Sequence, residues 1–265
     1  MLRHFPRLFL SELRRYLRVY WSYRLDAVTW LLLWIFAFPL LMVTFDSVAG
    51  GYGLSGRQAS LLGFLLWDWS MSVLQAGAGF VATESREGTL ENVVLAPIPL
   101  AATTAFRILS SLLVMGGQTL LLGTVLAILM GIPLGISGTS ILVVLLTLSG
   151  VGGLSLALGG LALRYKQIDS LVSIFTLLAL VLTGALVPLN QLSGVYAILR
   201  VIMPTTLGIE ALRATALNGA NWSTFVADGT WLGLTIQTGL YIALGTVIFN
   251  RSFRRACRDG NLAAY

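Results

Sequence analysis

Residues 108–130 read ILSSLLVMGGQTLLLGTVLAILM, a run without a single charged side chain. About 20 apolar residues in helical form span the roughly 30 Å hydrocarbon core of a bilayer, and this stretch is long enough. Five further stretches share its character, at 27–45, 59–82, 139–162, 170–189 and 230–249. The sequence therefore predicts an all-α integral membrane protein with six transmembrane helices. No internal repeat and no low-complexity linker divides it, so residues 1–265 are expected to form one membrane domain. Composition agrees, at 57% hydrophobic and 11% charged residues with a mean hydropathy of +0.86. A soluble domain carries roughly 25% charged residues.

The flanks of these stretches set an orientation. Residues 1–26 are amphipathic: Phe5, Leu8, Phe9, Leu13, Tyr16, Leu17, Tyr20 and Trp21 recur at helical spacing, opposed by Arg3, Arg7, Arg14, Arg15 and Arg18. Such a helix is expected to lie in the membrane interface, aromatics among the headgroups and arginines toward water and phosphate. Its basic character and the lack of a small-residue cleavage site argue against a cleavable signal peptide. With the N-terminus inside, all of the 17 Lys and Arg residues except Arg57, Arg200 and Arg213 fall on the cytoplasmic side. That asymmetry predicts a multi-pass protein of the cell membrane with both termini cytoplasmic. The net charge of +6 then belongs to membrane-flanking loops, and no nucleic-acid partner is expected.

Scarce residues exclude several chemistries. The chain has one Lys (Lys166), one His (His4) and one Cys (Cys257). Lys166 follows Arg164-Tyr165, so no Gly-Lys-Ser/Thr phosphate loop exists. One His and one Cys make no His/Cys zinc site and no internal disulfide. Cys257 sits among Arg254, Arg255 and Arg258 as a thiol near the membrane surface, where palmitoylation is the alternative. A membrane-embedded hydrolase would need a Ser/His pair, a metal set or an Asp pair within the spans, and Asp68 stands without one.

The remaining polar residues are few. Asp68, between Trp67 and Trp69, is the one acid well inside a predicted span. At that depth it must face a partner or a wet cavity, so it is a candidate contact on a translocation path or an interhelical hydrogen-bond group. An ion-coupled secondary transporter or channel centred on Asp68 is the alternative function, although no inverted repeat is visible. Gln118 and Gln167 border spans, and Gln118 fits interhelical glue. Ser149/Gly153 and Ser155/Gly159 are small-residue pairs that allow close helix approach. Residues 189–229 form an external, still rather apolar segment. Within it VYAILRVIM (195–203) is too short to cross, and Pro204 interrupts the pattern, which predicts a short outer helical hairpin or re-entrant segment between spans five and six. Glu210 and Arg213 lie one turn apart there, as a local ion pair or an external gate.

The cytoplasmic stretch TESREGTLENVVLAPIPL (83–100), within the loop 83–107, is expected to hold a short helix capped by Thr83, with Glu87 and Glu91 one turn apart and Pro97 and Pro99 ending it. Acidic residues there suit the docking of a soluble partner. Glu87-Gly88-Thr89-Leu90-Glu91 followed by Pro97 resembles the signature cytoplasmic loop of type-2 ATP-binding-cassette (ABC) transporter permeases. The stretch GALVPLNQLSGVYAILRVIMPTTLGIEALR (184–213) is similar to that family's Pro-terminated span, outer hairpin and P-x-x-x-x-x-E-A-L-R segment, through Pro204, Glu210, Ala211, Leu212 and Arg213. With the amphipathic N-terminus and six spans, the resemblance covers nearly the whole chain. It implies a non-catalytic permease subunit, not an enzyme, of an exporter that dimerises with a second permease subunit, as a homodimer, and binds two copies of a cytoplasmic ABC ATPase. ATP and Mg would be held by that partner, and this chain would carry no cofactor. The loop 83–107 would be the coupling loop, with Glu84, Glu87, Gly88, Thr89, Leu90 and Glu91 engaging the ATPase. The substrate expected from the chain's small external portion is a small amphipathic, drug-like or lipid-linked molecule leaving the cytoplasm or inner leaflet. A scaffold that binds an ATPase without transport is a further alternative.

Overall fold

A computed structural model describes residues 5–49, 53–95, 98–165, 169–186, 202–217 and 229–258, with the single positions 198, 219 and 226. Among them the elements are helical: α1 (Phe5–Ser22), α2 (Arg24–Ala49), α3 (Gly53–Arg86), α4 (Leu90–Leu95), α5 (Leu100–Met130), α6 (Gly138–Ala162), α7 (Asp169–Leu182), α8 (Pro204–Leu217) and α9 (Thr230–Arg258). Helices α5, α6, α9 and the Arg24–Thr44 part of α2 are long and apolar enough to cross a membrane. Helix α3 is longer still, at 34 residues, but carries Arg57, Asp68, Glu84 and Arg86.

Local chemistry sets the ends. Pro99 precedes α5, where its missing N–H costs nothing, and Gly131 closes that helix at φ +63° with its N–H on the carbonyls of Ala127 and Ile128. The Ser137 hydroxyl accepts from the Ser140 N–H and caps α6.

Helix α3 is the axis of the bundle. It is buried along most of its length and packs on α5, α6, α7 and α8, while α6 packs most extensively on α9. Glycines permit the tightest of these contacts. A Cβ at Gly153 would come within 2.6 Å of the Ile242 backbone nitrogen, and one at Gly160 within 2.6 Å of the Phe249 Cα. On another side of α6, Gly77 of α3 sits against Ser155, whose hydroxyl accepts from the Gly77 N–H at 2.9 Å. The small residues of α6 therefore divide between two neighbours. Ser155 and Gly159 face α3, Gly153 and Gly160 face α9, and Ser149 is exposed. Van der Waals contact of this kind is the main source of helix association where no hydrophobic effect acts.

Three sequence expectations change. The fifth apolar stretch was expected to run to residue 189, yet α7 stops at Leu182. Gly184 turns the chain at φ +71°, and carbonyls beyond the helix are taken by side chains from α3 and α8. Thr83 does not cap a separate helix, because α3 continues through it to Arg86. Part of the aromatic side of α1 is turned onto α5: Phe9 meets Phe106 with ring centroids 6.3 Å apart, and the Tyr16 and Tyr20 hydroxyls donate to Ser111 Oγ (3.3 Å) and Gln118 Oε1 (2.9 Å), while Trp21 stays exposed. Gln118 is thus interhelical glue. Pro97, Lys166, Gln167, Pro188 and most of 187–201, where the outer hairpin was expected, lie outside the described residues.

The glycine contacts give a direct test. Gly153→Ala should cost about 1–3 kcal/mol by overpacking against backbone, lowering the thermal unfolding midpoint in detergent. Gly117→Ala, where an added Cβ meets nothing within 4 Å, should leave it unchanged. Equal midpoints for the two variants would contradict this packing of α6 on α9.

Candidate functional site

Four charged residues from three helices converge where α3 ends. Arg15 Nη2 of α1 lies 2.9 Å from Glu84 Oε1 of α3, and Arg107 Nη2 of α5 lies 3.1 Å from the same oxygen. Arg107 Nε also donates to Glu12 Oε2 of α1 at 2.6 Å, and its guanidinium stacks 4.1 Å from the Phe80 ring centroid. The second Glu84 oxygen accepts from the Thr89 hydroxyl. The Glu84 side chain is only 3% exposed. Burial alone would raise its carboxyl pKa, but the Thr89 hydroxyl and the Arg107 and Arg15 guanidinium groups together hold it below the ordinary carboxylate range. A buried carboxylate is tolerable only when its lone pairs are answered in this way. Beside the cluster lies a cleft of about 520 Å³, with Ala76, Gly79 and Phe80 on one side and Tyr16 and Val19 on the other.

The chain leaves α3 through a turn that this carboxylate holds. Gly88 takes φ +67°, the Gly88 N–H reaches the Ser85 carbonyl and the Thr89 N–H the Glu84 carbonyl, so only a residue without a Cβ fits comfortably there. Helix α4 then starts at Leu90, which is 3% exposed and anchors the turn. Of the residues expected to engage a partner, Glu87, Gly88 and Glu91 point outward, Thr89 is half-buried, and Glu84 and Leu90 point inward. Glu87 and Glu91 do not share one helix. Glu87 lies in the turn, and Glu91 in the first turn of α4, where an acid complements the helix dipole. Glu84 is thereby an internal tie that positions the turn, and its carboxylate is not on the surface.

The other predicted residues sit away from this junction. Asp68 is 6% exposed. Thr119 Oγ1 of α5 donates to its Oδ2 at 2.9 Å, and Trp30 Nε1 of α2 approaches its Oδ1 at 3.4 Å. Both oxygens are engaged between helices. At the opposite end of α3, Arg213 of α8 donates to the carbonyls of Ala59 (2.8 Å), Gly184 (2.9 Å) and Ala185 (3.0 Å). It thus ties α3 to the chain leaving α7, with Gly63 so close that a Cβ would lie 2.5 Å from Arg213 Nη2. Glu210 is half-buried on the same helix.

Some of the arrangement is not marked by any sequence motif. Glu12 and Arg107 complete the junction, and the usable clue is that Glu12 is the one acid among the arginines of the first 25 residues. Thr119 has no clue beyond being polar within a span. A narrow strip of α3, formed by Ser72, Gln75, Ala76, Gly79 and Thr83, is the side of that helix left uncovered in its lower half. Gln75 Nε2 reaches Thr176 Oγ1 of α7 at 3.4 Å.

Comparison with known families agrees with this outline. The family model described as ABC-2 family transporter protein matches residues 43–247. No curated protein matches the chain. The chain belongs to the ABC-2 transporter family and is a multi-pass membrane permease component of an ABC transporter, a class that works with an ABC ATPase.

The junction predicts a pH response with a definite sign. Because the Glu84 carboxyl is held low, its contribution to docking α1 is complete above the ordinary carboxylate range and is lost as pH falls through the lowered value. Glu84→Gln should remove about 3 kcal/mol, the lower end for breaking a buried pair, since Arg15 is 51% exposed. Hydrogen exchange in residues 8–20 should therefore rise in the variant at neutral pH, and in the wild type only in acid. Unchanged exchange in Glu84→Gln would show that packing alone docks α1.

Proposed function

We propose that this chain is the transmembrane subunit of an ABC exporter and hydrolyses no ATP itself. A separate ATPase docks on the exposed Glu87–Glu91 turn and drives movement of α3. The observation that carries this reading is mechanical. The turn presents carboxylates to solvent on one side, and on the other is fastened through Thr89 to Glu84, hence to the end of the helix at the centre of the bundle. A displacement of the turn is transmitted along α3, a helix of 34 residues or about 50 Å. Two discrete packings of one rigid element are what a transport cycle requires.

In this reading α3 and α7 join the four apolar helices as the remaining crossings, which makes six, with both termini in the cytoplasm. The junction end is then cytoplasmic and the Arg213 end external. The Ser72–Thr83 strip of α3, with Thr176 of α7, supplies the polar wall of the route. Polar groups at membrane depth are covered by protein or water, so a second permease, most simply another copy of this chain, faces that strip. Two ATPases, each with ATP and Mg, complete the assembly. A small amphipathic, drug-like or lipid-linked molecule fits a wall of small and hydroxylated side chains. Asp68, with both oxygens held between helices, gives no support to an ion-coupled carrier centred on it.

Charge reversal tests the docking surface. When the chain is co-expressed with an ABC ATPase that co-purifies with the wild type, Glu87→Lys/Glu91→Lys should reduce co-purified ATPase at least tenfold. The permease itself should insert and elute as the wild type does, since both side chains are exposed. Undiminished co-purification would move the docking site elsewhere.

A further inference from the structure

Helix α1 has a second groove on the side facing away from the Glu84 junction. It lies between α1, the start of α2 and α5, with a volume of about 900 Å³. Its walls separate by chemistry. Leu113, Val114 and Leu121 of α5 and Leu31 of α2 make one part apolar, and Gly117 leaves its floor open, since an added Cβ there would meet nothing within 4 Å. The other part carries Arg18, Trp21 and Gln118. Each has N–H donors, and among the described residues the Arg18 guanidinium, the Trp21 indole and the Gln118 amide nitrogen donate to no protein acceptor. Gln118 accepts from Tyr20 through its oxygen, which leaves the amide nitrogen available. No Asp or Glu lines the groove.

The sequence around the groove is also informative. Arg18–Ser22 immediately precede the apolar stretch of α2 that begins at Arg24, where basic and aromatic residues border a span. Donors without acceptors beside apolar side chains of α2 and α5 are complementary to an amphipathic anion. We propose that this groove binds an anionic phospholipid of the surrounding membrane, its phosphate on Arg18 and Trp21 and one acyl chain running past Gly117 toward Leu31 of α2 and Leu121 of α5. Arg14, one turn before Arg18 and equally exposed, adds to the attraction. The lipid would hold α1 against α5 from the side opposite the Glu84 junction. Its site is separate from the docking turn and from the α3 strip.

The test is competitive lipid retention. Full-length protein is equilibrated in bilayers of equal phosphatidylglycerol and phosphatidylcholine, extracted gently, and its retained lipids are counted by native mass spectrometry. Wild type should retain phosphatidylglycerol in excess. Arg14→Gln/Arg18→Gln should lower that excess about fivefold or more, because one basic residue near the surface is worth about a fivefold change in affinity for anionic lipid. Gly117→Leu keeps the charges and fills the floor, so it should lose the same lipid. Arg251→Gln/Arg254→Gln, at the exposed end of α9, should behave as wild type. Equal retention of the two lipids by wild type overturns the proposal, as does full retention by Gly117→Leu. An equal loss in the α9 variant also overturns it, since the attraction would then be diffuse charge. All five positions are open to solvent or to the groove, so the variants should fold, and a thermal midpoint equal to that of wild type checks this.

Discussion

Helix α3 is enclosed by its neighbours along most of its length, and the polar groups it buries have to find partners within the protein. An unanswered polar group at membrane depth costs several kcal/mol. The partners found fix the surrounding helices at successive heights. The Ala59 carbonyl takes Arg213 of α8, and Ser60 donates to Leu186 beyond α7. Asp68 takes Thr119 of α5 and Trp30 of α2, and Trp69 donates to the Leu112 carbonyl of α5. Lower down, Gly77 bonds Ser155 of α6, and Glu84 binds Arg15 of α1 and Arg107 of α5. Dispersion sets how near the helices lie, and these contacts set their register, because each works at one height only.

The two kinds of contact are unevenly distributed. Between α6 and α9 backbone meets backbone at glycines, an arrangement that cannot slide without collision. By contrast, α1 is joined to the bundle mainly through side-chain tips, and α7 meets α3 over a short stretch. A bundle built this way divides into a stiff part, α3 with α6 and α9, and parts that can change partners at low cost. Packed interfaces switch between discrete states and do not deform smoothly. Movement of α1 or α7 against the stiff part therefore requires the exchange of a few identifiable polar contacts. The Glu84 cluster and the Arg213 carbonyl clamp are the two largest, and they lie at opposite ends of α3.

Much of the fold was legible because hydrophobicity, length and breakers are local properties. The apolar run at 139–162 agrees closely with α6, that at 108–130 shares its end with α5 although the helix starts two turns earlier at Leu100, within the expected loop, and the alternation of arginine and aromatic residues in α1 marks a helix. The end of α7 was not legible. A Gly turn within an apolar run is ordinary unless something satisfies the carbonyls it frees, and Arg213, far along the chain, does so. The candidate site was half legible for the same reason. The EGTLE stretch marks a turn and a short helix, and Glu87 and Glu91 are exposed as a docking surface requires. The inward position of Glu84 depends on Arg15 and Arg107, and no spacing rule connects residues 15, 84 and 107. The face of α1 was legible in part, since an aromatic stripe fits a headgroup layer and a neighbouring helix equally well, and the structure turns Phe9, Tyr16 and Tyr20 onto α5.

Electrostatics gives α1 a particular place in this arrangement. Its inner side carries one acid and one arginine committed to Arg107 and Glu84, and its outer side carries the exposed Arg14 and Arg18. The Arg107–Glu12 contact and the carboxylate of Glu84 are sheltered, so added salt screens them less, whereas attraction between an exposed arginine and a charged headgroup fades within a Debye length of about 8 Å at physiological ionic strength. Under the lipid proposal α1 would have a short-range hold on protein and a longer-range, salt-sensitive hold on lipid. Glu84 sits at the root of the turn bearing Glu87 and Glu91, so both holds would bear on the freedom of that turn. Under the proposed docking of an ATPase there, the charge of the membrane and the docking surface would be linked through a single helix.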